Sequence, residues 1–275
     1  MDGKMKEHRL YKMTSPEIKE GIKKIDFVLI PVGATEQHGP HLPLDFDHFC
    51  ATQICEAAAK AVNTRGKWVV VAPTINYGCS WYHMNFPGTM SLSQQTFIKV
   101  VSEVCESLAH HGFKNLIMLN AHGGNTAALT VCLTDLYAQK RIRVVLVQWG
   151  TLATATIKEL GIVSPLIHAE EIETSMAMAL GSDVRIDKLT RDCFSRRDTY
   201  EEKGIPTSRH ITYDAATPGS GVIIPMDYID DISSSGIVGD SSLATKKRGE
   251  ILLASVNSKL VELIEDLSKR QITED

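Results

Sequence analysis

Apolar positions along the chain follow two patterns: short continuous runs and longer stretches with a helical period. The continuous runs cover residues 27–33, 68–73, 116–120 and 144–149, and they have the length of strands. Because they do not alternate with polar residues, they are typical of a parallel sheet that helices cover on both faces. The pattern therefore predicts an α/β fold. The helical periods that separate or follow the runs cover residues 14–24, 48–62, 93–111, 125–140, 170–181 and 243–269.

Residues 190–240 break this pattern, since they are rich in Gly, Ser, Asp and Pro and show no clear period. A segment of this length is unusual as a bare loop inside a compact domain. We expect an irregular excursion that covers the sheet edge, the site or an interface, with short strands at 221–225. No other stretch has the composition of a flexible linker, so the sequence predicts a single domain over residues 1–275.

Composition and charge exclude several classes of protein. Lys and Arg total 29 against 33 for Asp and Glu, and the net charge of −4 argues against a nucleic-acid-binding protein. Every apolar run is shorter than the ~18 residues that a membrane span requires. The charged N-terminus lacks the apolar core of a secretory signal, and the six cysteines contain no CxxC pair. We therefore expect a cytoplasmic protein with a small-molecule partner.

The segment after the first predicted strand carries the groups that bind transition metals. Glu36, His38 and two aspartates, Asp45 and Asp47, lie close together in sequence. Ligands of an open parallel sheet gather at the carboxyl ends of its strands, and carboxylate with imidazole suits zinc, manganese or iron. The glycines and prolines of the segment force turns that bring either aspartate back toward Glu36. A solvated, His-rich loop is the alternative interpretation.

A second polar segment follows the third predicted strand, where His122 precedes two glycines. Glycines let the backbone approach a metal or ligand closely. The alternative is an ordinary glycine turn with Asn125 as the N-cap of the next helix.

A third polar segment opens the predicted helix 170–181. Glu170 and Glu171 are explained by the favourable charge at a helix N-terminus. Glu173 leads into an apolar run, and a buried carboxylate needs a partner such as a metal ion. The loop 76–90 adds aromatic residues and His83, which suit a substrate-facing loop as well as a packed surface loop.

At these segments the chain resembles the creatininase family of metal hydrolases. The resemblance lies in PVGATEQHGPHLPLDFD, HMNFPGTMSL, NAHGGN and HAEEIETSMAMAL, which occur in the family's order between residues 31 and 180. It implies a three-layer αβα sandwich with a mostly parallel sheet, a homo-oligomer that is often a hexamer, and a binuclear centre of divalent ions. Zinc is the first expectation, with manganese and iron as alternatives. The implied metal ligands are Glu36, His38, Asp47 and His122, with Asp47 bridging the two ions.

The resemblance also implies roles for other residues. His168 matches a histidine that assists proton transfer, and Trp149 matches an aromatic residue near the substrate. Creatinine-hydrolysing members carry a metal-binding Glu where this chain has Gly124, so Glu173 becomes the candidate ligand. Glu170 or Glu171 is the next ligand candidate behind Glu173, and Glu171 is also a catalytic candidate. Ser80 and His83 join Trp149 as candidate substrate-binding residues.

The implied reaction is hydrolysis of a small cyclic amide or formamide by a metal-bound hydroxide that attacks the carbonyl. Some members with the HGGN form act differently, and one opens 3-dehydro-scyllo-inosose. A ring-opening hydrolase of a cyclic polyol ketone is therefore one alternative. A non-catalytic small-molecule-binding protein of the same fold is the other.

Overall fold

A computed structural model describes residues 7–162, 167–192 and 228–269, and a parallel sheet lies at its centre. Its strands are β1 (Phe27–Val32), β2 (Val69–Val71), β3 (Leu116–Asn120) and β4 (Val144–Gln148). The sheet order is β2-β1-β3-β4, and every pairing between neighbours is parallel. This confirms the parallel sheet expected from the apolar runs.

Helices cover both faces of the sheet. They are α1 (Ser15–Gly21), α2 (Phe46–Asn63), α3 (Gln94–His110), α4 (Thr126–Lys140), α5 (Trp149–Leu152), α6 (Thr154–Glu159), α7 (Glu171–Leu180) and α8 (Lys246–Lys269). Alternate β1 side chains enter opposite hydrophobic clusters, since Leu29 packs with the cluster of α2, α7 and α8 while Ile30 packs with that of α3 and α4. The molecule therefore has three layers, as predicted.

The start of α2 differs from the prediction in a way that matters for the site. The helix begins at Phe46 instead of residue 48, so Asp47 lies in its first turn. Gly33 at the end of β1 permits the close approach, because an added Cβ there would lie 2.4 Å from His48 N. The carboxylate of Asp47 is thereby carried to the carboxyl edge of the sheet by a rigid helix.

Part of the predicted excursion reaches the same edge. Residues 190–192 and 228–240 are described, and β5 (Arg191–Asp192) pairs antiparallel with β6 (Gly239–Asp240). Val238 N donates to the carbonyl oxygen of His168 at 3.0 Å. The strands predicted at 221–225 lie outside the described residues.

The described ranges show whether a helix could cross a membrane and in which state the cysteines are. Within them, no helix combines the length and hydrophobicity needed to cross a membrane. The five cysteines in the same ranges are buried free thiols.

Helix α8 crosses α7 very closely at Gly249. An added Cβ at this glycine would lie within 1.8 Å of Ser175 O and 3.0 Å of Ala179 Cβ. Thr245 N, just before α8, donates to Ser175 Oγ at 3.0 Å. The crossing fixes α7, the helix that carries Glu173.

Replacing Gly249 with alanine should separate these two helices. Alanine favours a helix by about 1 kcal/mol over glycine. Overpacking against the backbone of Ser175 should outweigh this gain, so the net loss in the free energy of unfolding should be about 1–3 kcal/mol. Urea unfolding followed by circular dichroism measures the change. Ser258→Ala, on the exposed side of α8, is the matched control and should change stability by less than about 0.5 kcal/mol. A Gly249→Ala protein as stable as the wild type would contradict the close crossing.

Candidate metal centre

Carboxylates and imidazoles from four parts of the fold converge at the carboxyl edge of the sheet. These side chains come from the loop after β1, the first turn of α2, the residues just after β3 and the first turn of α7. Every contributing residue is at most 6% exposed. The structure thus brings together all five predicted metal ligands, which are Glu36, His38, Asp47, His122 and Glu173.

Asp47 lies between two histidines, and each of its oxygens faces a different ring. Its Oδ1 is 3.1 Å from His38 Nε2, and its Oδ2 is 3.3 Å from His122 Nδ1. Glu36 Oε1 is 3.2 Å from His122 Nδ1, and Glu173 Oε2 is 3.9 Å from His38 Nε2. Among the described residues, the ligand atoms of three sets lie within 4.8 Å of one another; one set joins Glu36, His38 and His168, and the other two share Asp47. The two that share Asp47 are Glu36, Asp47 and His122 in one set and His38, Asp47 and Glu173 in the other.

The residues present fit a divalent metal ion. Both carboxylate oxygens of Glu36 and Oδ2 of Asp47 are buried and have no hydrogen-bond partner among the residues that the structure describes. Burial of an ionised carboxylate is strongly unfavourable unless a cation or hydrogen bonds compensate it. A divalent ion supplies that compensation, and the mixture of carboxylate oxygen with imidazole nitrogen suits zinc, manganese or iron.

Backbone carbonyls orient the two imidazoles of these sets. His38 Nδ1 donates to Glu36 O at 3.2 Å, and His122 Nε2 donates to Cys79 O at 3.1 Å. When the ring loses its second proton, each contact keeps the remaining proton on the outer ring nitrogen and leaves the inner nitrogen as a lone pair. Such outer partners typically fix the tautomer of metal-binding histidines.

Burial and charge shift the pKa values of this cluster. For His38, burial favours the neutral ring, but Asp47 outweighs it and raises the pKa to about 9. For Glu173, burial raises the pKa to about 7 although His38 opposes the shift. For Glu36, burial is outweighed by His122 and His83, and its pKa falls below the usual value. The metal-free cluster therefore holds protons where a cation would bind.

Metal binding should consequently release protons and weaken as the pH falls. His38 stays protonated below about pH 9 in the metal-free protein, so an ion must displace that proton. We expect the apparent zinc affinity to fall about tenfold per pH unit for each displaced proton between about pH 8 and pH 6. Competition with a chromophoric chelator measures this dependence. An affinity that is constant over this range would rule out the protonated cluster.

Two other predicted histidines border Glu36. His83 Nε2 is 3.4 Å and His168 Nδ1 is 3.7 Å from Glu36 Oε1. Burial lowers the pKa of His83 to about 4, and burial is also the main cause that lowers the pKa of His168. Both rings are therefore neutral near pH 7. His83 is buried beside Glu36, and its role in substrate binding stays a prediction.

The remaining predicted residues lie at different distances from the cluster. Ser80 Oγ is buried and lies 3.4 Å from His122 Nε2. Trp149 is 4% exposed and belongs to the hydrophobic cluster that includes Ile172. Glu171 is directed to α8, where its carboxylate pairs with Arg248. The catalytic role expected for Glu171 therefore has no geometric basis, and the substrate role of Trp149 stays a prediction.

Glu170 has the structural role that its position at a helix start suggested. Its carboxylate caps α7 by accepting from Ile172 N at 2.8 Å and Glu173 N at 3.2 Å. Glu173 Oε2 in turn accepts from Ala169 N at 2.5 Å. Ala169 has a φ of 54°, a left-handed conformation that is uncommon for alanine. This turn lets His168 and Glu173 approach the same cluster.

Sequence reasoning missed the principal role of Asn125. Although it precedes α4, its side chain makes no capping hydrogen bond. Its Nδ2 donates to Gly33 O at 3.0 Å and to Asn120 Oδ1 at 3.1 Å, and its Oδ1 accepts from Cys79 N at 2.9 Å. Asn125 therefore occupies the N-cap position of α4, as the alternative interpretation placed it, but its side chain bonds elsewhere. It ties the ends of β1 and β3 to the 76–90 loop.

Gly124 lies where the structure leaves no room for a side chain. An added Cβ at Gly124 would lie 2.5 Å from Cys79 O, His122 Nε2 and Tyr82 Oη. A side chain at this position would displace one of these groups. The set that contains His38 and Asp47 is completed instead by Glu173 from α7.

The fold and cluster together define an αβα protein with a candidate metal centre. A family model described as Creatininase, creatinine amidohydrolase, matches residues 11–264. The chain therefore belongs to the creatininase family of hydrolases, and the resemblance seen in its motifs is confirmed.

Three comparisons give the range of its relatives. The chain is 26% identical over 269 residues to 3-dehydro-scyllo-inosose hydrolase of Thermotoga maritima, covering 94% of this chain and 83% of that protein. It is 30% identical over 237 residues to mycofactocin precursor peptide peptidase of Mycolicibacterium smegmatis, covering 84% and 81%. A solved structure designated Creatininase Mn superposes with a TM-score of 0.74 at 24% identity, covering 95% of this chain and 99% of that one. This last likeness confirms the fold.

Proposed function

We propose that the protein is a hydrolase that depends on two divalent ions per chain, with zinc first and manganese or iron as alternatives. Glu36, Asp47 and His122 would hold one ion, and His38, Asp47 and Glu173 the other. The observation that carries the proposal is the set of buried, unpartnered oxygens of Glu36 and Asp47 beside two inward imidazole nitrogens. The manganese form of a structurally similar creatininase also supports a divalent metal.

The protein's own groups suggest how the site would handle protons and water. When bound, such ions activate water and polarise a carbonyl group. His168 directs Nδ1 toward Glu36 and has a lowered pKa, so its neutral ring can accept a proton from water and pass it to a leaving group. The burial of Glu36, Asp47 and both neighbouring histidines keeps bulk water from competing for these contacts.

The proposed substrate is a small molecule with an attackable carbonyl, and a cyclic amide or formamide is our first choice. Amide hydrolysis agrees with the family description and with the peptidase relative. The second candidate is ring opening of a cyclic polyol ketone, because the inosose hydrolase matches 94% of the chain. A purely binding function fits poorly, since a decayed site would be expected to have lost one of the five ligands.

Removal of the shared carboxylate should empty the centre. Asp47→Asn keeps the size of the side chain but removes the charge that both ligand sets share. We expect metal content by mass spectrometry to fall from about two ions per chain, and turnover to fall at least ~100-fold, since the ions supply several kcal/mol of transition-state stabilisation. Asp135→Asn, at an exposed position on α4, should keep both. Full metal content and turnover in Asp47→Asn would refute the assignment.

A product assay should distinguish the two candidate reactions. The metal-loaded protein is incubated with panels of cyclic amides, formamides and cyclic polyol ketones, and the products are identified by NMR. Release of an amine together with a carboxylate supports the first choice. A ring-opened acid without an amine supports the ketone hydrolase, and no turnover across all panels would count against both.

A further inference from the structure

Gln37 lies between two site histidines, and its amide orientation is fixed from outside the site. Its Oε1 accepts from Gly39 N at 2.8 Å, and its Nε2 donates to Gly236 O at 3.1 Å. An amide oxygen only accepts and an amide nitrogen only donates. These two backbone contacts therefore determine that the NH2 end of Gln37 faces the histidines. The residue is 5% exposed.

The side chain of Gln37 determines where His83 carries its proton. Gln37 Nε2 is 2.8 Å from His83 Nδ1. Since the amide can only donate, Nδ1 must accept, and the single proton of the neutral ring lies on Nε2. That nitrogen faces Glu36 Oε1 at 3.4 Å. His83 thus presents an N–H group to the site and offers no lone pair to a cation there.

The backbone of Gln37 determines the proton position of His168. His168 Nε2 is 2.8 Å from Gln37 O, and a carbonyl oxygen only accepts, so Nε2 carries the proton. The amide nitrogen of Gln37 is also 3.0 Å from His168 Nε2. That contact is not the hydrogen bond, because the two amide hydrogens are directed to Gly236 O and His83 Nδ1. The inward Nδ1 of His168 is left as a lone pair.

We propose that Gln37 is a positioning residue that makes His83 a hydrogen-bond donor and His168 a proton acceptor at the same centre. Its side chain sets the first ring and its backbone carbonyl sets the second. The use of the pair in catalysis rests on the proposed function, whereas the proton positions do not. A donor stabilises charge that develops on a carbonyl oxygen, and an acceptor takes the proton of the attacking water. Attack of water on a carbonyl group can use both groups.

Nitrogen-15 NMR of the histidine rings tests the proposal directly. Protein labelled at its ten histidines is studied metal-free and zinc-loaded, with His83→Gln and His168→Gln to assign the two rings. Two-bond proton–nitrogen correlations report which ring nitrogen is protonated. We expect the proton on Nε2 of both rings in the wild-type protein. A proton on Nδ1 of either ring would overturn the proposal without any variant at Gln37.

Gln37→Glu separates the side-chain contact from the backbone contact. A carboxylate only accepts, so His83 should gain a proton on Nδ1, while His168 should keep its proton on Nε2. Gln95→Glu, an exposed position on α3, makes the same chemical change and should leave both rings unaltered. Unchanged His83 signals in folded Gln37→Glu would contradict the role of the amide. If this variant fails to fold, the wild-type spectrum alone decides.

Metal content separates this proposal from the proposed function. Gln37→Glu should keep the zinc content of the wild-type protein, because Gln37 belongs to neither ligand set, and should lose about 100-fold in turnover. Wild-type turnover in a Gln37→Glu protein whose His83 proton has moved would show that the pair is not used in catalysis. A wild-type protein that binds no zinc would refute the proposed function and leave the proton positions to be judged from the spectra.

Discussion

Three carboxylates, Glu36, Asp47 and Glu173, are buried around His38 and His122, with Asp47 between the two rings, and the rest of the site is arranged around that charge. Such a group is stable only if protons or cations are placed among the oxygens. In the metal-free protein the raised pKa values of His38 and Glu173 serve this purpose. A divalent ion would do so without the protons, and folding and metal binding are therefore expected to be coupled.

Small residues at close crossings bring these charges together. Gly33 lets the start of α2 reach the end of β1, and Gly249 lets α8 pack against the backbone of α7. Gly124 leaves room for Tyr82 and Cys79 beside His122. Each glycine lies where a Cβ would displace an element that carries or supports a ligand. Packing and metal chemistry are thus linked through the same positions.

Much of the fold could be predicted from sequence, because apolar runs and helical periods depend on local composition. The candidate ligands were also indicated in the sequence, by the polar residues near predicted strand ends and by the family motifs. Glu171 shows where this reasoning stopped. Residues two apart on a helix are separated by about 200° of rotation, so Glu171 faces Arg248 on α8 while Glu173 faces the site. The contacts of Gln37 and Asn125 depend on three-dimensional placement of distant loops, and no periodicity reveals them.

The described part of the excursion is joined to the same site. Val238 N binds the His168 carbonyl, and Gly236 O accepts from the Gln37 amide. Asp192 Oδ2 accepts from Ser233 Oγ and Ser235 N, both at 2.9 Å, and holds this segment in place. The segment that differs most from the regular αβα pattern thus contacts the residues that orient the histidines.

Two metal ions are proposed to share the carboxylate of Asp47. Anomalous X-ray diffraction at the zinc edge, from crystals of the zinc-loaded protein, tests this sharing most directly. We expect two anomalous peaks on opposite sides of Asp47, each about 2.0–2.2 Å from one of its oxygens. A single peak, or peaks that do not contact Asp47, would contradict it.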